Sequence, residues 1–447
     1  MADVQSDEAE EAERSAYLKC VWFRCVTSRD HLNYYRVIKT VVIYVCRRIV
    51  NAFRCYPDES LNEIGRWEYN YKLLPQQHRE LLPELPERYA DARRAVQANA
   101  EFIAAMLSVY ESPNAPPHLR IHPATKPLPP CSPADAEKVP SHPGRPSGVA
   151  LGAPLKPLSG PQVRYVFKNL FRDWGEEGAL EREQCYSPML AELRRAVPPP
   201  PRAPSGSEVQ PSVLVPGAGL GRLCVEVAAG GYPVQGNEFS YYMLLASSFM
   251  LNCMHAPRAA PIFPWALNTC NSRSFSDQAR LAPMNPPGRY PAHGRSGALN
   301  DAPSCAEQLQ EVRVPDRAPP EFSLPEGYMS MCAGDFVEVY SQPDFEGAFD
   351  AVLTCFFIDT AHNVLQYLDI LWSVLRPGGV WINHGPLLWH WADAHTYLAT
   401  QEMSIELPLD VLLRCAAQRG FVLETEQARC VIIFPALGRH RSTLWRA

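Results

Sequence analysis

The chain has 447 residues, a net charge of −6, 46% hydrophobic residues, and 44 prolines against 25 glycines. That apolar content excludes a wholly disordered protein, and the acidic balance argues against a nucleic-acid binder. Proline at roughly twice its usual share is poorly accepted inside helices and sheets, so it is expected to mark linkers and insertions.

Met1 to Arg14 is acidic and has no apolar core behind a basic start, so no export signal is read there. Val41 to Val50 is broken by Arg47 and Arg48, and falls short of the roughly 20 residues that a membrane span needs. The 14 cysteines show no CxxC pair and no zinc spacing. They read as reduced thiols in a cytoplasmic or nuclear protein, with no metal and no membrane partner expected.

From about residue 15 to 110 the patterning is helical, and Val96, Phe102, Ile103, Met106 and Leu107 share one face. Residues 1–112 are therefore expected to form a helical N-terminal region. Residues 113–161 hold 14 of the prolines and read as a linker with no core of its own. Val163, Val166, Phe167, Leu170, Phe171 and Trp174 then give an amphipathic helix. Ser187-Pro188 is expected to cap and open another, running through Arg195.

After a second proline cluster, Val213-Leu214-Val215 reads as a buried strand, and Gly217-Ala218-Gly219-Leu220-Gly221 follows directly. Arg222 to Ala229 is helical and stops at Gly230-Gly231. Tyr232 to Gln235 is a strand ending in Gly236-Asn237-Glu238, and Ser240 caps a helix through Asn252. Strand, glycine turn, helix, strand, acid and helix make half of a doubly wound α/β sheet. The proline-rich stretch around 256–325 reads as a loop insertion. The sheet resumes at Asp350 to Cys355 and again at Val380 to Asn383. Between these strands Asn363 to Leu375 is helical, and Val411 to Arg419 is a further helix. Val422 to Glu424 and Cys430 to Phe434 are expected to close the chain as a hairpin. The α/β unit so outlined is 162–447.

The glycine turn lets a ligand approach the backbone next to a helix N-terminus. Gly217 and Gly219 are the contact candidates. The spacing is G-x-G-x-G, with Arg222 where a dinucleotide fold wants its third glycine, so a pyrophosphate ligand is disfavoured. Glu238 lies 21 residues after Gly217, where an acid can accept both ribose hydroxyls. S-adenosylmethionine, with a ribose and no phosphate, fits both details. Asp335-Phe336 suits an adenine amino group and its ring. Asp359 ends a buried strand, at the edge that faces the ligand in open α/β sheets. His390, between Trp389 and Trp391, follows the next strand. His362 competes with it, but at three residues into a helix it suits a structural role.

The strings Val215-Pro216-Gly217-Ala218-Gly219-Leu220-Gly221-Arg222, Gly236-Asn237-Glu238-Phe239, Phe356-Phe357-Ile358-Asp359-Thr360-Ala361-His362-Asn363 and Leu375-Arg376-Pro377-Gly378-Gly379 together resemble the carnosine N-methyltransferases. The resemblance covers about 162 to 430 and more loosely the N-terminal helices. It implies a Rossmann-like class I methyltransferase sheet with helices on both faces. It also implies transfer of a methyl group from S-adenosylmethionine to the imidazole of β-alanyl-histidine, giving anserine, and a homodimer. It carries cofactor contacts onto Asn169, Arg172, Gly217, Glu238, Asp335, Phe336 and Cys355, and substrate contacts onto Asp359 and His390. Asn169 stands where relatives have glutamine, and His384 where they usually have an apolar residue.

Two departures stand beside the resemblance. The family's last strand carries a tyrosine that contacts substrate, whereas residues 434–447 have none and Pro435 is expected to stop the strand. Lys39 to Val50 looks inserted. Two alternatives remain open: a methyltransferase acting on histidine in other peptides or proteins, and a catalytically weakened cofactor-binding scaffold. A dinucleotide oxidoreductase is disfavoured by Arg222.

Overall fold

The computed structural model describes residues 32–111, 160–199, 210–269, 309–392, 404–433 and 436–446. The expected linker at 113–161 lies outside them except for Gly160 and Pro161, which open a helix, and most of the central part of the expected 256–325 insertion also lies outside.

Three helices come first: α1 (Leu32–Leu73), α2 (Gln76–Glu80) and α3 (Leu85–Glu111). On α3 the residues Val96, Phe102, Ile103, Met106, Leu107 and Tyr110 are buried, at the three- and four-residue steps that make one helical face. They share a core with α4 (Gly160–Trp174), where Val163, Val166, Phe167, Leu170 and Trp174 are all buried. Polar contacts fix the layer as well. The Asn99 amide donates to the Tyr56 hydroxyl at 2.8 Å and the Phe263 carbonyl at 2.9 Å, and accepts the Phe263 N–H at 2.7 Å. The N-terminal helices are thus built onto the rest of the molecule.

Helix α5 spans Ala179–Ala196 without a break at Ser187-Pro188. The sequence expectation of a cap and a new helix there is wrong. Ser187 instead donates to Glu183 Oε2, one turn back. Pro188 costs one backbone hydrogen bond, but Tyr186, Met189, Leu190 and Leu193 are buried along the same helix and hold it. Pro57 likewise sits inside α1. The rule that prolines stay out of helices therefore fails at two positions.

The remaining elements are β1 (Val213–Pro216), α6 (Arg222–Ala229), β2 (Val234–Glu238), α7 (Tyr241–Cys253), β3 (Ala260–Ile262), β4 (Val312–Val314), β5 (Met329–Ala333), α8 (Phe336–Tyr340), β6 (Phe349–Cys355), α9 (Val364–Val374), β7 (Leu375–Gly385), α10 (Leu409–Arg419), β8 (Val422–Ile433) and β9 (Ala436–Arg446). Seven strands form one sheet in the order β5-β2-β1-β6-β7-β9-β8. The first five run parallel, and β9 runs antiparallel to both of its neighbours. The connection order reverses between β1 and β6, which puts a ligand crevice at their carboxyl ends.

Two expectations are corrected, and one strand was not expected. The described flanks of the 256–325 segment are not surface loops: β3 and β4 pair antiparallel, and Ile262, Trp265, Val312 and Val314 are buried in the core shared with the N-terminal helices. Strand β5, Met-Ser-Met-Cys-Ala, has no clear apolar alternation and escapes a sequence reading. At the end of the chain, two long strands pair from Val422↔Arg446 to Ile433↔Ala436, in place of a short hairpin over 422–434. Pro435 falls between them, outside the described residues. Among the described residues no helix is long and apolar enough to cross a membrane.

Candidate active site

The candidate residues gather at the carboxyl edge of the parallel strands. The glycine turn follows β1, Glu238 ends β2, Asp335 follows β5, Cys355 ends β6 with Asp359 just beyond, and His390 comes shortly after β7. Arg172 reaches the same region from α4, and Asn169 lies one turn earlier on that helix.

The turn after β1 needs its glycines. Gly217, Gly219 and Gly221 have φ of +66°, +55° and +80°, a region that side-chain-bearing residues resist. A Cβ on Gly217 would stand 2.7 Å from Phe357 Cδ2. At Gly219 a Cβ would have Arg172 Nη2 at 3.8 Å and Asp173 Oδ2 at 3.9 Å, so this bare backbone faces a cation and its counter-ion.

Glu238 is held by backbone. Its Oε2 accepts the Gly219 N–H at 2.7 Å, and its Oε1 accepts the N–H groups of Phe239 and Ser240 at 3.0 and 2.8 Å. Burial pushes its carboxyl up from the ordinary range, against those donors and Arg172. Ser240 takes the cap position of α7, but its own hydroxyl makes no capping bond.

Asp335 caps α8: its Oδ1 accepts from Val337 and Glu338 N–H at 2.9 and 3.2 Å. Phe336 is turned into the core, with ring centroids 5.2 Å from Phe357 and 5.1 Å from Tyr367. Asn169 donates to the Tyr165 carbonyl on its own helix.

Asp359 is 2% exposed, and its Oδ2 accepts the Leu388 N–H at 3.1 Å. Its Oδ1 has no hydrogen-bond partner among the described residues. The His390 N–H donates to the Asp359 carbonyl at 3.0 Å, so the two residues are joined through backbone while the His390 side chain is exposed. His362 precedes α9 and does not sit within it, which corrects the sequence expectation. It stacks on Trp391 with centroids 4.0 Å apart.

Several residues here escape a reading of motifs. Asp173, 1% exposed on its side chain, takes two bonds from Arg172 and one from the Tyr186 hydroxyl at 2.8 Å. Behind them Asp316 accepts from Arg182 and from Arg222, each at 2.6 Å. Arg222, read from sequence only as a missing third glycine, is thus a buried anchor between α6 and Asp316. Phe356 has φ +54°, a strained setting for a side-chain-bearing residue, at the point where β6 opens into the site. Cys355 lines the same cavity as Arg172, Tyr186 and Gly217, and burial keeps its thiol protonated by raising it well above its usual range. Among the described residues there is no group of three or more His, Cys, Asp or Glu side chains arranged to hold a metal ion.

The seven-stranded sheet with its one reversed strand, a bare glycine cradle and an acid after β2 define a class I S-adenosylmethionine-dependent methyltransferase. The family model for carnosine N-methyltransferase matches residues 155–290 and 298–433. The carnosine N-methyltransferase of Mus musculus is 33% identical over 385 residues, 85% of this chain and 78% of that one. That of Schizosaccharomyces pombe is 35% identical over 264 residues, 58% of this chain and 62% of that one. A solved Burkholderia thailandensis 1,6-didemethyltoxoflavin-N1-methyltransferase superposes with a TM-score of 0.33 at 15% identity, over 67% of this chain and 93% of that one, which is too loose to add to the sheet order. The chain belongs to the carnosine N-methyltransferase family.

Proposed function

We propose that the protein is a carnosine N-methyltransferase, which moves the methyl group of S-adenosylmethionine to an imidazole nitrogen of β-alanyl-histidine and yields anserine and S-adenosylhomocysteine. The observation that carries the reading is Asp359. It is a buried carboxylate at the crevice edge with one oxygen fixed by the Leu388 N–H and the other without a partner among the described residues.

The glycine cradle and the backbone-held Glu238 fit a nucleoside without phosphate, and Arg172 beside Gly219 fits a carboxylate. In this reading Glu238 takes the ribose hydroxyls, Asp335 and Phe336 border the adenine, and Arg172 takes the amino-acid end. When bound, S-adenosylmethionine supplies an electrophilic methyl group on a sulfonium. The imidazole must then present a lone pair on one nitrogen and carry its proton on the other. Asp359 Oδ1 accepts that N–H, which fixes the tautomer. As the new N–C bond forms and the S–C bond breaks, the ring becomes an imidazolium, and the Asp359 carboxylate stabilises the charge. The proton on the second nitrogen then leaves to solvent. His390, tied to Asp359 through backbone, borders the same acceptor position. Alignment of the attacking nitrogen with the methyl carbon and sulfur contributes several kcal/mol when the ring is well held.

The test is incubation with methyl-labelled S-adenosylmethionine and, separately, carnosine, free histidine or a histidine peptide. Label in carnosine is the expected result. No label in carnosine, with S-adenosylhomocysteine still bound, overturns the acceptor and leaves the cofactor standing.

A further inference from the structure

We propose that Glu181, on the first turn of α5, receives the α-ammonium group of the cofactor's methionine end, across one cavity from Arg172. The inference rests on the cofactor reading above and assigns a partner to the half of the zwitterion that Arg172 cannot bind.

The cavity is walled by Arg172, Glu181, Tyr186, Gly217, Cys355 and Phe356, with apolar neighbours and with Arg182, whose guanidinium is paired with Asp316. It therefore lies directly under the glycine turn. An amino-acid end brings a carboxylate and an ammonium. Arg172 supplies a cation: its Nε and Nη2 are engaged by Asp173, and its Nη1 has no hydrogen-bond partner among the described residues. The ammonium needs an anionic acceptor, and the walls offer few. Both oxygens of Asp173 already accept from Arg172, and Tyr186 donates to one of them. The thiols of Cys185 and Cys355 are kept neutral by burial, the first pushed up to about 12 and the second raised well above its usual range.

Glu181 is the one carboxylate among the described residues lining the cavity, and no hydrogen bond holds it. It is partly buried, and burial pushes its carboxyl up to about 7, with Arg172 and Arg182 pulling it down and Asp173 pushing it further up. An acid placed so has little to gain in the ligand-free protein and a strong, charge-assisted bond to gain from an arriving ammonium.

The test compares wild type with Glu181→Gln for three ligands by calorimetry: S-adenosylhomocysteine, its decarboxylated analogue, which keeps the ammonium, and 5′-methylthioadenosine, which lacks the whole amino-acid end. The variant is expected to bind the first two roughly tenfold to a hundredfold more weakly, the loss of one charge-assisted bond. Methylthioadenosine is expected to bind both proteins within a factor of two, which also shows that the variant is folded. Equal weakening for all three ligands, or none for any, overturns the assignment. A wild-type protein that binds none of them overturns the cofactor reading, and this assignment with it, whereas wild-type binding without a variant effect removes only Glu181.

Discussion

Arg172 and Asp173 are neighbours in sequence and meet side chain to side chain, Nε to Oδ1 at 2.6 Å and Nη2 to Oδ2 at 3.0 Å. Successive residues on a helix normally face apart. The contact forms because both residues lie in the last turn of α4 and Arg172 folds back toward a buried carboxylate. The fork fixes the guanidinium beside the glycine turn, and Tyr186 steadies the carboxylate from α5. Removing Asp173 leaves the Arg172 charge without its partner in a partly buried place. Asp173→Ala is expected to lose about 3–5 kcal/mol of stability, the range for breaking a buried pair from one side. Tyr186→Phe removes one hydrogen bond and leaves the ion pair, so about 1 kcal/mol is expected. Denaturant titration separates the two, and equal losses would show that the phenol, not the ion pair, holds the carboxylate.

Asp359 carries the chemical prediction. Asp359→Asn keeps the shape and still offers an oxygen, but it removes the negative charge that the proposed mechanism uses to stabilise the imidazolium. Turnover of carnosine is expected to fall by roughly a hundredfold or more. S-adenosylhomocysteine affinity is expected to stay within a factor of two, because nothing places Asp359 against the cofactor. Labelled-methyl transfer and calorimetry on the same sample give both values. Unchanged turnover removes Asp359 from its role.

Much of this site was legible because its chemistry lies in contiguous strings at strand ends. Gly217, Gly219 and Glu238 stand at fixed offsets from two apolar runs, and Asp359 closes a third. The doubly wound α/β class could then be inferred from half of the sheet. What was missed depends on contacts between distant segments. Asp316 meets Arg182 and Arg222, residues 134 and 94 positions away, and no spacing rule reaches that far. Glu181 has no motif around it and gains meaning only when α5 is laid against the glycine turn. Helix α5 begins at Ala179 and not at Ser187-Pro188, because its buried face continues through the proline and outweighs that local signal. Strand β5 lacks a signal for the opposite reason, since none of its residues is fully buried and no strict alternation runs through it.

Gly217 and Gly231 make a matched pair for testing the cradle. Both have positive φ, +66° and +94°. Alanine at either should cost about 1–2 kcal/mol for the backbone alone. A Cβ at Gly231 meets nothing within 4 Å, whereas one at Gly217 meets Phe357 Cδ2 at 2.7 Å. Gly217→Ala is therefore expected to be the less stable variant, and the only one of the two to weaken S-adenosylhomocysteine binding. Thermal unfolding with and without that ligand measures both effects, and a weakened affinity in Gly231→Ala would sink the idea that the turn acts locally.

Glu181 gives the ligand-free protein a pH dependence whose sign can be worked out. Its carboxyl rises from the ordinary 4.5 to about 7 on folding, because burial disfavours the charged form. The folded state then holds the proton more tightly than the unfolded chain, so this group's contribution to stability declines as pH rises from 4.5 to 7 and levels off above. The groups that face it are Arg172 and Asp173 from α4, Arg182, Cys185 and Tyr186 from α5, and Cys355 from β6. Burial holds Cys185, Tyr186 and Cys355 protonated throughout that window. Glutamine cannot take up the charge. The melting temperature of Glu181→Gln, relative to wild type, is expected to climb between pH 5 and pH 7.5 and then stay flat. Saturating S-adenosylhomocysteine should shrink that gap, because its ammonium pairs with the charged carboxylate in wild type and finds only an amide in the variant. Melting curves at half-unit pH steps, with and without ligand, provide the check, and a difference independent of pH would mean that Glu181 does not titrate in this range.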